Sequence, residues 1–278
     1  MMSSDEAIYD ALTLILPEAI RALQEANHPK LEALEALKAD LPLLVVAANE
    51  RLKMTPLTPE DQQLQELFRY TVTALVKIHR DGDWRPYVFM NELFYEALPV
   101  KRIVDWILNI VSIPPSPAVG EVGNITPLVL GKTADRLGGK QFLLLERASW
   151  ENGLFREVID EYVRRYSMNL DLVNLENVQE VSKLKESLDM LFVGPIGGWK
   201  LGWMGVLILA SHVLKRRGVL TAVIPLNARE GMKTLLSLLG IPPYPDVKRL
   251  VDDMQRWRFT GVRLNKDRGF AGIVAVKR

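Results

Sequence analysis

The sequence predicts an α/β protein: a doubly wound, mostly parallel seven-stranded sheet closed by a C-terminal antiparallel hairpin and preceded by an all-α N-terminal region. Three observations predict it. Residues 1–112 carry apolar side chains at helical spacing only. Pro114-Pro115-Ser116-Pro117 then places three prolines in four residues, which ends any helix and favours an extended connector. From Ala118 onward short apolar runs alternate with longer helical stretches, the pattern of βαβ units. The chain therefore reads as a helical domain over 1–112, a Pro-rich linker over 113–117 and an α/β domain over 118–278.

In the N-terminal region, Ser4 followed by Asp5 and Glu6 caps a helix running to about Asn27. Pro29 stands at a first helical position, and LEALEALKAD continues from it. Thr58-Pro59-Glu60-Asp61 is a further start signal, after which Leu64, Leu67, Phe68, Thr71, Val72, Leu75 and Val76 fall on one buried face. The polar run from His79 to Pro86 breaks that helix, and two more patterns cover Asn91–Ala97 and Lys101–Val111.

The second half alternates. Ala118–Val122 reads as a strand and Ile125–Leu137 as a helix closed by Gly138-Gly139. Gln141–Glu146, Leu170–Asn174, Leu188–Val193 and Val219–Ile224 read as the next four strands, with helices over Asn152–Tyr166 and Trp199–Lys215 between them. LDMLFV is apolar almost throughout, which suits a central parallel strand covered on both faces. A helix over Arg229–Leu239 follows, then a hairpin of Gly261–Leu264 and Phe270–Val276 around the turn Asn265–Gly269.

Composition narrows the function classes. Of 278 residues 48% are hydrophobic and 25% charged, ordinary for a folded protein, and the net charge is +1. Residues 1–118 hold 11 basic and 17 acidic side chains and the remainder 24 and 17, so the halves carry −6 and +7. That asymmetry reads either as charge scatter or as a mild preference for an anionic partner. The absence of cysteine excludes disulfides, thiolate catalysis and Cys-ligated zinc, and three scattered histidines argue against any metal site. The acidic start MMSSDEAIYD lacks a secretory pattern, and the longest apolar run, Leu201–Leu214, falls short of a membrane span. A cytoplasmic protein that does not enter membranes is the expectation.

Four local features share one pattern. The first strand ends in Glu121-Val122-Gly123, and the second in an acid, Glu146, about 25 residues later. The fourth opens at Asp189 in an Asp-x-hydrophobic run, and Leu214-Lys-Arg-Arg-Gly218 leads to the fifth. With the terminal hairpin, this order resembles the class I S-adenosylmethionine-dependent methyltransferases over residues 118–278. The resemblance implies S-adenosylmethionine as cofactor, with an unknown methyl acceptor (small molecule, protein or RNA) as partner. It implies that Glu146 accepts hydrogen bonds from the ribose hydroxyls, that Glu121 holds the first loop, and that Gly123 and Asn124 lie beside the amino-acid part of the cofactor. Glu176 and Asn177, with Asn174, are candidates for the adenine edge, and Gly194-Pro195 for the position facing the transferable methyl. The helical N-terminal region would act as a substrate lid or as the dimerisation platform of a homo-oligomer.

The pattern has departures. EVGNITP keeps one glycine where the family has two or three. The fourth strand ends in Gly194-Pro195-Ile196, without the Asn/Asp-Pro-Pro-Tyr of enzymes acting on exocyclic base amines and without a metal-binding Asp. A methyltransferase-fold protein without turnover, serving as a binding or scaffold subunit, is therefore the alternative. An NAD enzyme is disfavoured by the missing Gly-x-Gly-x-x-Gly, and a P-loop nucleotidase by the missing Walker sequence.

Catalytic residues are not legible, because methyl transfer rests on alignment more than on acid–base groups. His212 and His79 read more simply as a helical histidine and a turn residue. Gly197-Gly198-Trp199-Lys200-Leu-Gly-Trp203 reads either as a mobile wall of the acceptor pocket, led by Trp199 and Lys200, or as core packing at a helix start. Arg256-Trp257-Arg258 reads either as a basic-aromatic cluster for RNA or as a solvated strand entry.

Overall fold

The computed structural model describes residues 82, 84–96, 98–226, 241–267 and 269–278; the helices expected before His79 and over Arg229–Leu239 lie outside them. The chain gathers into two compact units, 1–99 with 228–240, and 100–227 with 241–278. In the first, the described residues form α1 (Arg85–Glu96) and the first two residues of the next helix. The second unit carries the sheet.

Its elements are α2 (Leu98–Ile110), β1 (Ala118–Val122), α3 (Leu128–Leu137), β2 (Lys140–Leu145), α4 (Arg147–Glu151), α5 (Gly153–Tyr166), β3 (Leu170–Asn174), α6 (Val178–Lys183), β4 (Leu188–Val193), a 3₁₀ turn (Gly198–Leu201), α7 (Gly202–Val213), β5 (Leu214–Pro225), α8 (Val247–Arg256), β6 (Phe259–Asp267) and β7 (Phe270–Lys277). The seven strands form one sheet in the order β3-β2-β1-β4-β5-β7-β6. β1 to β5 run parallel, and β7 lies antiparallel between β5 and β6. The chain winds one way from β1 to β3 and the other from β4 to β5. Right-handed crossovers then put α3 and α5 on one face and α7 on the other.

Burial explains the strands. β1, β4 and β5 are closed on both sides, with Val122, Leu191, Phe192, Val193 and Leu220 fully buried. Each such side chain contributes about 1.5–3 kcal/mol relative to exposure. α5 starts where Asn152 Oδ1 accepts from the Leu154 and Phe155 amides (3.1 and 3.3 Å) and buries Phe155, Ile159 and Tyr162. α2 joins the same layer as α3: Asp105 pairs with Lys132 (3.5 Å), and Arg136 donates to the Leu108 carbonyl (3.1 Å). At the amino ends of the strands Asp189 fastens three of them together. Its Oδ2 accepts from the Ala118 amide (2.8 Å) of β1, and the carboxylate holds Lys215 of β5 at 2.8 and 2.9 Å.

Differences from the sequence reading have local causes. α3 begins at Leu128 rather than Ile125, because Pro127 disfavours helical backbone in the residue before it. α7 ends at Val213, and β5 starts early, at Leu214, through a bulge that shifts its register on β4 between Leu188 and Met190. The hairpin is longer than its apolar core, since β6 extends from Phe259 to Asp267. α4, α6 and α8 were not expected; the first two, of five and six residues, are too short to show a period.

Gly272 of β7 sits under α2, where an added Cβ would meet Ile103 Cγ2 at 2.5 Å and the Trp106 ring at 3.1 Å. Gly272→Val is expected to lift α2 and cost about 1–3 kcal/mol of stability, read as a lower urea midpoint with an unchanged slope. An unchanged midpoint would mean that α2 does not bear on β7.

Candidate functional site

The sheet reverses its strand order between β1 and β4, and in open α/β sheets ligands bind beyond the carboxyl ends of the strands at that point. Register brings the relevant turns to one edge: Val122 pairs with Leu144 of β2 and Val193 of β4. The Gly123 amide then donates to the Leu144 carbonyl (2.7 Å), drawing the first turn toward β2.

Glu121 organises that turn. It is fully buried; its Oε2 accepts from the Leu130 amide (3.0 Å) and its Oε1 from Asn124 Nδ2 (3.0 Å). Leu130 lies in the first turn of α3, whose cap residue Pro127 has no side-chain acceptor to offer. A carboxylate from the neighbouring strand thus satisfies an orphan amide at the positive end of the helix. The buried Thr126 hydroxyl in the same turn has no hydrogen-bond partner among the described residues.

The turns leaving β1 and β4 touch. Gly123 has φ +78°, and a Cβ there would overlap the backbone of Gly197 and Gly198. A Cβ at Gly197 would in turn overlap the Gly123 carbonyl. Asn124 Nδ2 closes the contact by donating to the Gly194 carbonyl. Gly194, with φ +116°, precedes a cis bond to the buried Pro195; a Cβ at Gly194 would meet the Val223 carbonyl at 2.5 Å and the Trp199 indole nitrogen at 2.8 Å.

Trp199, whose segment reads either as a pocket wall or as core packing, is wholly buried. Its Nε1 donates to the Val223 carbonyl, its ring stacks on Phe270 (centroids 5.9 Å apart), and its own carbonyl accepts from Tyr244 Oη (3.0 Å). Burial pushes the Tyr244 phenol well above its ordinary pKa. This side chain is a pin, not a flap. Lys200 beside it is exposed.

Glu146 follows the last residue of β2 in extended backbone (φ −65°, ψ 145°); it is exposed, and its carboxylate has no partner among the described residues. The expected adenine-edge residues have other contacts. Glu176 accepts from the Arg147 amide (3.3 Å), capping α4. Asn177 caps α6: its Oδ1 accepts from the Gln179 and Glu180 amides (3.0 and 3.4 Å), and its Nδ2 donates to Glu180 Oε1 (3.0 Å). Asn174 Oδ1 accepts from the Glu176 amide (3.0 Å). The structure thus brings Glu121, Gly123, Asn124, Gly194 and Pro195 together, leaves Glu146 open at the adjoining strand end, and gives Glu176 and Asn177 to helix starts. Sequence reasoning missed Tyr244, which has no motif around it, and the reach of Glu121 to α3. No group of three or more His, Cys, Asp or Glu among the described residues is placed to hold a metal ion.

Glu121→Gln tests the buried carboxylate. The amide would set a donor against either Leu130 N or Asn124 Nδ2, so a loss of about 1–3 kcal/mol is expected in urea unfolding. Glu146→Gln, on an exposed carboxylate, should leave the midpoint in place. Equal midpoints for the two variants would show that Glu121 does not hold the turn.

No family model and no curated protein matches the sequence. Solved structures do match. The CurJ carbon methyltransferase aligns with a TM-score of 0.61 at 12% identity, over 98% of this chain and 89% of that one. A geranyl diphosphate methyltransferase in complex with GPP and sinefungin gives 0.51 at 10% identity, over 71% and 85%. The [4+2]-cyclase SpnF gives 0.50 at 9% identity, over 65% and 82%. At these identities the likeness is one of architecture: the fold of this chain is that of the class I S-adenosylmethionine-dependent methyltransferases.

Proposed function

We propose that the protein is an S-adenosylmethionine-dependent methyltransferase that takes the adenosyl group at the carboxyl edge of β1 and β2. The observation that carries this reading is Glu146, an exposed carboxylate without a partner among the described residues, at the end of the strand beside the Gly123 turn. A carboxylate there accepts from two vicinal hydroxyls, and the position is open. The nucleoside end of the cofactor therefore fits the residues present.

The amino-acid end does not fit the closed arrangement. Backbone of Gly197 and Gly198 stands against Gly123, where that end would lie. Seating the whole cofactor accordingly entails parting the two turns. The cofactor supplies a methyl group on a sulfonium, already a good leaving group; the part of this chain is to bind, orient and exclude water. No side chain among the described residues is assigned as a proton acceptor.

The turn contact also favours a second reading, a methyltransferase-fold subunit that binds without turnover.

Calorimetry and thermal shift with S-adenosylhomocysteine separate the readings. The ligand should raise the melting temperature, and Glu146→Ala should weaken binding about 10- to 100-fold, the worth of a charged hydrogen bond, without lowering the stability of the free protein. Gly197→Ala, which forces the turns apart, should lower stability yet raise affinity for the same ligand. If neither wild type nor Gly197→Ala binds it at millimolar concentration, the methyltransferase reading is wrong. Binding without methyl transfer to small-molecule, protein or RNA acceptors would select the second.

A further inference from the structure

The edge of the sheet opposite the candidate site collects cations. Lys215-Arg216-Arg217-Gly218 forms the bulge that opens β5, where pairing with β4 jumps from Leu188↔Leu214 to Met190↔Val219. β7 runs the other way, with Val219 opposite Val276, so Arg278 comes to the same edge. β6 starts there: Phe259 pairs with Lys277, and the Arg278 amide donates to the Arg258 carbonyl (2.9 Å). The segment before β4 joins them, since the Glu186 amide donates to the His212 carbonyl (2.9 Å) and Glu186 meets Lys277 (3.4 Å).

Three acids of this rim are engaged, while Asp252 beside Asp253 is exposed with no ion pair among the described residues. Glu186 holds Lys277, Asp189 holds Lys215 (2.8 Å) and Asp253 holds Arg256 (3.5 Å). Six exposed cations are left without an ion pair among the described residues: Lys183, Lys185, Arg216, Arg217, Arg258 and Arg278. In a chain of net charge +1 this is a local excess. Arg217 and Arg258 also have φ of +66° and +63°, in the left-handed region that Gly or Asn adopts at lower cost. Arginine stands in both places against the local backbone preference, so its side chain rather than its backbone suits the position.

We infer that this rim binds the phosphodiester backbone of a nucleic acid. Four of the six cations are arginines, whose planar fork fits phosphate oxygens in pairs. The large apolar side chains exposed among the described residues are Trp84, Val178, Met204 and Ile208, none of them in the rim segments, so nothing there would enter a bilayer. The inference is independent of what occupies the carboxyl edge. Cations that meet only phosphates read no base, so single-stranded RNA and DNA of equal length bind alike.

The test is fluorescence anisotropy with labelled 20-nucleotide single-stranded RNA and DNA across a salt series, with vesicles of phosphatidylcholine and phosphatidylserine as a second probe. Six phosphate contacts predict a log–log salt slope of about −4. The triple variant Arg216→Gln, Arg217→Asn, Arg258→Asn, with Asn chosen to suit the positive φ, should bring the slope to about −2 and weaken binding at least tenfold, with an unchanged melting temperature. If that variant melts early, Arg216→Gln alone should reduce the slope by about 0.7. Absence of binding at 50 mM salt, wild-type binding by the folded variant, or vesicle capture as tight as that of RNA would overturn the inference.

Discussion

The turns that leave β1 and β4 meet backbone to backbone, and they do so only because Gly123 and Gly197 have no side chains to hold them apart. Much of the carboxyl edge follows from that approach. Asn124 reaches the Gly194 carbonyl across it, and Glu121 binds both Asn124 and the first turn of α3. A buried carboxylate in that position is tolerable because it is met by donors and by the helix dipole. The switch point of the sheet is thereby lined and partly filled by the chain's own main chain.

The amino edge is secured differently. There one carboxylate, Asp189, takes an amide from β1 and an ammonium from β5, so three neighbouring strands are fixed at their starts. With that end tied down and surrounded by arginines without an ion pair among the described residues, and the other closed by glycine contacts, the sheet presents two chemically distinct rims. Architecture shared with a carbon methyltransferase and with a cyclase does not by itself choose the chemistry. The choice rests with particular side chains, and at the carboxyl rim Glu146 is exposed with no partner among the described residues.

Central strands were legible because burial on both faces leaves a continuous apolar run, as in LDMLFV, and because proline and glycine punctuate the connections. The terminal hairpin was legible for the same reason. Trp199 was not: its partners Val223, Tyr244 and Phe270 are distant in sequence, and a glycine-flanked aromatic shows no period that would distinguish a core side chain from a pocket wall. The spacing of Asn177 to Glu180 is that of a helix start, and the structure uses it as one. A polar residue just past a strand looks the same whether it faces a base or an amide. Glu121 was placed in the first loop by resemblance, but its reach to Leu130 depends on where α3 begins, and Pro127 decides that.

The pinning of Trp199 has a mechanical consequence. Only the five residues 194–198 separate the end of β4 from an indole fixed by a hydrogen bond, a stacked ring and a tyrosine. A span so short between two anchors has no lever arm with which to swing as a rigid body. Movement of this turn therefore comes from rotation of individual peptide planes at Gly194, Gly197 and Gly198, the way a watch strap yields link by link while both lugs stay where they are.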